Sequence, residues 1–192
     1  MKSVLAVVFL LATISVSAQS RSLFKSSSSI RADIEKVAGD YYENFDNIKG
    51  DTIMETVSSV EFSSKIIPAG AIETTITKYK TPLTYSWQST LFTTEEFKEA
   101  VAKYKQVYRQ INGATLTFHD NAAYKLSGKY DAPDEARAFA SSILDIGTYD
   151  HNLKLFKIEV ALNYAFPEWT VKIFIYEKVA DEDIRPSSGY TR

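Results

Sequence analysis

A change of hydrophobic period midway along the chain constrains its fold more than any other feature. In residues 83–92, apolar side chains such as Trp87 alternate with polar ones, which is typical of a strand with one face on a core and the other in water. From Phe97 onward, apolar residues recur at helical spacing until Asn112 and Gly113 provide a stop. A one-sided strand followed directly by a one-sided helix predicts a sheet with helices packed against it.

This helix has a predicted start and a predicted inner face. Thr93 and Glu96 form the pattern of a capping box, in which the hydroxyl accepts a backbone N–H bond and the carboxylate reaches back. We therefore expect the helix to begin directly after Thr93. Its predicted inner face is a stripe of Phe97, Val101, Tyr104, Tyr108 and Ile111, which Ala100 and Val107 widen.

The flanking segments predict two more helices and further strands. Apolar residues at helical spacing from Ile30 to Phe45 predict a first helix that ends before Gly50. Residues 51–92 are rich in Thr, Val, Ile and Tyr and predict three strands. Asp131 is predicted to cap a third helix. The inner side of that helix would consist of Ala136, Phe139, Ala140, Ile143 and Leu144.

Two hairpins complete the predicted order. Residues 114–130 are expected to pair about a turn at Asp120 and Asn121, and residues 153–178 about a turn at Pro167. Near the start of the second hairpin the apolar residues slip from odd to even positions. The slip indicates either a β-bulge or a late strand start.

The predicted order is helix, three strands, helix, two strands, helix, two strands. It predicts one α+β domain over residues 30–178, built on a largely antiparallel sheet with the helices packed on one face. Within it, residues 83–164 follow the order strand, helix, two strands, helix, strand, which is the split βαβ order of ferredoxin-like domains. We take a ferredoxin-like core as an architectural hypothesis, from which no function follows.

The two ends of the chain lie outside the predicted domain, and the N-terminal end predicts export. Residues 1–18 have the pattern of a secretory signal peptide, because Lys2 precedes an apolar run of 11 residues and Ala18 suits a cleavage site. The run is shorter than the roughly 20 residues of a membrane-spanning helix. We expect a secreted or periplasmic protein without an integral membrane segment once the signal is removed. Residues 19–29 predict a flexible serine-rich spacer, and residues 179–192 a polar C-terminal tail.

Composition and motifs exclude several classes of protein. The chain has no cysteine, so a folded exported domain must depend on its apolar core rather than on disulfides. A net charge of -2 gives no basis for nucleic-acid binding. The sequence contains no nucleophile elbow, zinc-binding helix motif, phosphate loop or dinucleotide fingerprint. We therefore predict no cofactor and no metal site.

The aromatic residues supply the favoured functional hypothesis. Tyr79, Phe174 and Tyr176 fall on the opposite strand parity from their inward neighbours, with Lys172 nearby. If the sheet leaves this face open, they form a surface suited to a protein, peptide or glycan partner. A second sheet, the first helix or a homodimer partner could cover the face instead. The favoured function is an exported, non-enzymatic binding or structural module.

The alternative function is a small hydrolase or metal-dependent enzyme. The two histidines lie beside carboxylates in predicted loops, as His119 with Asp120 and as His151 with Asp150. The predicted strand directions bring both loops to one end of the sheet, where imidazoles could bind a metal or transfer a proton. The same residues are also ordinary turn formers, so no catalytic residue belongs to the favoured hypothesis.

Overall fold

The computed structural model describes residues 29–118, 121–148, 150 and 153–178. Within these residues the chain forms two α-helices, one 3-10 helix and ten strands. The helices are α1 (Ile30–Gly39) and α2 (Phe97–Ile111), and the 3-10 helix spans Tyr41–Glu43. The strands are β1 (Lys49–Glu55), β2 (Ser59–Ser64), β3 (Glu73–Lys80), β4 (Leu83–Thr94), β5 (Thr115–Thr117), β6 (Ala123–Lys125), β7 (Ser127–Gly128), β8 (Phe139–Asp145), β9 (Phe156–Ala165) and β10 (Glu168–Glu177).

Eight of these strands form one antiparallel sheet in the order β1-β2-β3-β4-β10-β9-β8-β7. The remaining two, β5 and β6, pair with each other in a separate hairpin. β10 lies between β4 and β9, so the C-terminal hairpin joins the two halves of the sheet. The fold is α+β with a large antiparallel sheet, as predicted.

The helices pack on one face of the sheet, which we call the inner face. α2 packs across β4, β9 and β10, and α1 packs against α2 and β5. Tyr41, directly after α1, meets Phe156 of β9 edge-on at a centroid distance of 4.9 Å. Alternating residues of the two central strands fill the core because successive side chains in a strand point to opposite faces. The fully buried ones are Phe156, Ile158, Val160 and Leu162 of β9 and Val171, Ile173 and Ile175 of β10.

The predicted third helix is wrong, because its second half is the strand β8. Burial in this strand alternates, with Ala140, Ser142 and Leu144 buried and the residues between them more exposed. That is a period of two, and pairing with β9 satisfies the backbone along the strand. Asp131 does not cap a helix: its backbone N–H donates to Ser142 Oγ at 2.9 Å. Without this helix the order of ferredoxin-like domains is not confirmed.

The start of α2 is shifted from the predicted capping box. β4 continues through Thr94, and Thr93 is held in the ladder opposite Thr170 of β10. Thr94 Oγ1 accepts a bond from the backbone N–H of Glu96 at 3.1 Å and donates to Glu99 Oε2 at 3.0 Å. The capping box predicted between Thr93 and Glu96 is therefore replaced by these hydrogen bonds of Thr94, one residue further along the chain.

The inner face of α2 is centred on the buried Ala100, Tyr104, Val107 and Ile111, and the predicted Phe97, Val101 and Tyr108 pack against the core while partly buried. The predicted end of the helix at Ile111 is confirmed.

The N-terminal segments also differ from the prediction in extent. Ser29 is the N-cap of α1, and its Oγ accepts from the backbone N–H of Ala32. α1 ends at Gly39, since the chain then turns and Asn44 and Phe45 adopt positive φ angles of 54° and 61°. Beyond this turn, four strands occupy the region up to Thr94, one more than predicted.

The predicted C-terminal hairpin is confirmed, whereas the earlier one is confirmed only over β5 and β6, because Ser127–Gly128 pairs with β8 instead of continuing it. Leu116 of β5 pairs with Tyr124 of β6, and Asn121 near the turn has a positive φ of 58°. In the C-terminal hairpin, β9 begins at Phe156 and the residues directly before it form a turn. The parity slip is therefore a late strand start.

Gly128 provides a stability test at the edge of the sheet. A Cβ atom on this residue would lie 2.1 Å from the carbonyl oxygen of Ile143 and 2.8 Å from Cα of Leu144, both backbone atoms of β8. We expect Gly128→Ala to lower the free energy of unfolding by about 1–3 kcal/mol through overpacking. Urea unfolding followed by circular dichroism measures the change.

Gly39→Ala is the matched control, because its Cβ would meet no atom nearer than 3.7 Å. This variant should keep the unfolding free energy of the parent or raise it by up to about 1 kcal/mol. Equal midpoints for the two variants would contradict the close approach at Gly128.

Candidate functional site

The face of the sheet opposite the helices, which we call the outer face, carries a pocket of about 560 Å³. This outer-face pocket crosses five neighbouring strands, from Tyr79 on β3 to Phe139 on β8. Its aromatic lining consists of Tyr79, Tyr85, Phe139, Phe174 and Tyr176. The other lining residues are Thr81, Pro82, Thr84, Ser86, Glu159, Ala161, Asn163 and Glu177.

Strand register explains why these residues meet. Phe174 of β10 lies directly opposite Glu159 of β9, and Tyr176 lies opposite Ser86 of β4. Directly opposed side chains in antiparallel strands have Cβ atoms about 4.5–5.5 Å apart. Because Ser86 and Ala161 are small, the face is lower at these positions than at the aromatic rings around them. Alternating small and aromatic residues thus shape a concave surface on the sheet.

Glu159 is held by two hydroxyl groups within the pocket. Its Oε1 accepts a hydrogen bond from Ser141 Oγ at 2.5 Å, and its Oε2 accepts one from the Tyr176 hydroxyl at 2.9 Å. Burial, followed by the negative charge of Glu159, raises the pKa of Tyr176 well above its ordinary value. Tyr176 therefore stays protonated at neutral pH and remains a donor, which fixes the carboxylate in one orientation.

The structure brings together three of the four residues predicted for binding. Tyr79, Phe174 and Tyr176 all line the outer-face pocket, although they come from different strands. Lys172 has the same strand parity but lies opposite Ala161 and does not line the pocket. No described helix or second sheet covers this face, since the pocket is open between the strand side chains.

Sequence reasoning missed the acidic residue of the lining and its aromatic residue from β8. Glu159 could have been found, because it occupies an outward position between the inward Ile158 and Val160. Phe139 could not, because the spacing of apolar residues in its segment predicts a helix with Phe139 on the inner side. In β8, Phe139 is 52% exposed and points to the outer face.

The predicted enzyme site falls largely outside the described residues. His119, Asp120 and His151 are not among them, so the hypothesis that they form a catalytic end stays a prediction. Asp150 is described: its Oδ2 accepts from the Tyr42 hydroxyl at 3.5 Å, and its backbone N–H donates to Thr148 Oγ1. In the described part of the chain, no group of three or more metal-ligating side chains could hold an ion.

Comparisons with protein families, with curated proteins and with solved structures found no match for this chain. No helix in the described part of the chain is long and apolar enough to cross a membrane. The geometry of the outer face is therefore the basis for a functional proposal.

Proposed function

We propose that this protein is an exported, non-enzymatic binding protein that holds a small amphipathic molecule in the outer-face pocket. The observation that carries the proposal is the pocket itself. Its volume of about 560 Å³ lies within the roughly 300–1,000 Å³ of small-ligand sites, and such sites combine apolar and aromatic walls with a few polar groups. Export is supported by the signal-like pattern of residues 1–18.

The exposure of the aromatic rings favours an occupant for the pocket. Tyr79 is 44% exposed and Phe139 is 52% exposed, although both are large apolar side chains. Covering apolar surface contributes about 25 cal/mol per Å², so a ligand that shields these rings gains affinity from them. The concave shape and limited volume suit a small molecule better than a flat protein surface.

A neutral fluorescent probe tests whether the pocket binds anything. N-phenyl-1-naphthylamine should bind saturably, with about one site per chain, and its fluorescence should rise on leaving water. Phe174→Ala should weaken binding by about 10-fold or more, because the ring lines the pocket and its loss removes contact area. Phe174 is only half-buried, so the substitution leaves the inner-face core intact.

Lys172→Ala is the matched control on the same strand and the same face. The affinity of this variant for the probe should stay within about 2-fold of the affinity of the parent protein, because Lys172 does not line the pocket. Absence of saturable binding in the parent protein, or equal weakening in both variants with unchanged unfolding midpoints, would overturn the proposed function.

A further inference from the structure

The outer-face pocket combines carboxylates with aromatic rings. We propose that its ligand is an organic cation, with an amine or quaternary ammonium group on an elongated apolar body. This inference rests on the proposed function and names the ligand class of the same site.

The charges of the lining favour a cation. The outward-facing carboxylate of the lining is Glu159, and none of the residues that the structure places in the lining is Lys or Arg. Glu177 also contacts the pocket, but it has the strand parity of the inward Ile175 and lines a second cavity beside Tyr41.

Among the lysines of the lining strands, Lys157 and Lys80 pair with acids outside the lining, and Lys172 does not line the pocket although it lies opposite Ala161. Lys157 Nζ lies 3.6 Å from Asp145 Oδ2, and Lys80 Nζ donates to Glu55 Oε1 at 2.8 Å. The pocket therefore presents negative charge that its own lining does not balance.

Glu159 is positioned to accept bonds from a ligand. An ionised carboxylate has about four lone-pair sites, and the hydroxyls of Ser141 and Tyr176 use one on each oxygen. The two hydroxyl bonds hold the carboxylate still, so binding a cation requires little further ordering of this side chain. One lone pair on each oxygen remains to accept an ammonium N–H.

The aromatic rings add a second contact for the same group. Phe174 lies directly opposite Glu159, and the Tyr176 hydroxyl donates to it, so a cation at the carboxylate lies beside both aromatic side chains. Cations are attracted to the faces of aromatic rings within about 6 Å. The remaining rings, Tyr79 at one end and Phe139 at the other, can then cover an apolar body. A ligand with a carboxylate in place of the cation would be repelled by Glu159.

Three compounds with one aromatic body test the ligand class. The cation 2-(1-naphthyl)ethylamine, the neutral 2-(1-naphthyl)ethanol and the anion 3-(1-naphthyl)propanoate are compared by displacement of N-phenyl-1-naphthylamine at about pH 7, where the amine is charged. We expect the amine to bind about 10-fold more tightly than the alcohol and the carboxylate to bind most weakly. The advantage of the amine should shrink between about 20 mM and about 500 mM NaCl, because salt screens the charge of the site.

In Glu159→Gln, the amine should bind no more than about 2-fold more tightly than the alcohol, and the affinity for the alcohol should stay unchanged. Glu95→Gln makes the same change of net charge at an exposed residue outside the pocket and should keep the full advantage. Tyr176→Phe keeps the carboxylate of Glu159 and should also keep most of the amine's advantage over the alcohol. This variant therefore separates recognition of charge from a loss of local structure.

The outcomes separate the two proposals. If the probe and the alcohol bind but the amine has no advantage, or Glu159→Gln retains it, the ligand class is overturned and the proposed function stands. If neither the probe nor any naphthyl compound binds saturably, the proposed function fails and the ligand class fails with it.

Discussion

Replacing Trp87 by alanine is expected to lower the free energy of unfolding by about 3–5 kcal/mol, because a large buried aromatic side chain is lost. Trp87 is fully buried on the inner face of β4, between Ile76 of β3 and Ile175 of β10 in the ladder. Its indole N–H donates to Ser64 Oγ at 3.0 Å. The substitution leaves a large cavity in the middle of the sheet, and the chain has no disulfide to limit the loss.

Two further variants check this interpretation of Trp87. Trp87→Phe keeps much of the packing and should cost clearly less than the alanine variant, whereas Ser64→Ala leaves the indole N–H unpaired and should cost about 1–3 kcal/mol. Urea unfolding followed by circular dichroism measures all three. A Trp87→Ala protein within about 1 kcal/mol of the parent would show that the core does not depend on this residue.

Alkaline pH is expected to unfold the protein at a lower urea concentration, with the loss beginning near pH 10. Tyr104 of α2 is fully buried, and its hydroxyl shares a 2.6 Å hydrogen bond with Ser142 Oγ. Burial raises the pKa of Tyr104 to about 12, although the bond to Ser142 lowers it in part. Burial also raises the pKa values of Tyr41 and Tyr176.

The sign of this effect follows from the protonation states. Unfolded tyrosine has a pKa of about 10, so a folded pKa above that value means that the folded state favours the protonated phenol. The resulting stability is fully present below about pH 10 and is lost as the pH rises through the folded pKa. For each such tyrosine the slope approaches about 1.4 kcal/mol per pH unit.

Urea unfolding midpoints between about pH 8 and about pH 12 measure the loss. Tyr104→Phe should make the unfolding free energy fall less steeply with pH, by at most about 1.4 kcal/mol per pH unit. The reason is that the variant has no phenol at this site and so loses one titrating proton. An unchanged slope in Tyr104→Phe, or a midpoint that stays constant up to about pH 12, would contradict the assignment.

Patterns with a strong local period predicted the fold well. The alternation in β4, the helical stripe of α2 and the C-terminal hairpin were all visible in the order of residues, because burial on one face selects apolar residues at fixed spacing. The prediction for the segment from Asp131 to Leu144 is wrong, because its apolar residues recur at helical spacing although the strand places Phe139 and Ile143 on one face and Ala140 and Leu144 on the other. Pairing with β9 decided between helix and strand.

The candidate site was predictable only in part, for a similar reason. Strand parity placed Phe174 and Tyr176 on the outward side of their strand, and the structure confirms that placement. Parity could not show that Tyr79 from β3 and Phe139 from β8 reach the same pocket, because no local pattern specifies which strands become neighbours. It also could not show that Glu159 is held by Ser141 across the β8 and β9 pair.

By itself, the sequence determined the α+β class, the long helix α2 and the outward parity of the aromatic residues, since each follows from the spacing of apolar side chains along one segment. The tertiary structure alone decided the order of the strands, the strand conformation of β8 and the pocket in which Glu159 lies. These features depend on contacts between residues far apart in the chain, such as Tyr176 with Glu159 and Ser141 with Glu159, and side chains meet across strands only after the register of the sheet is set.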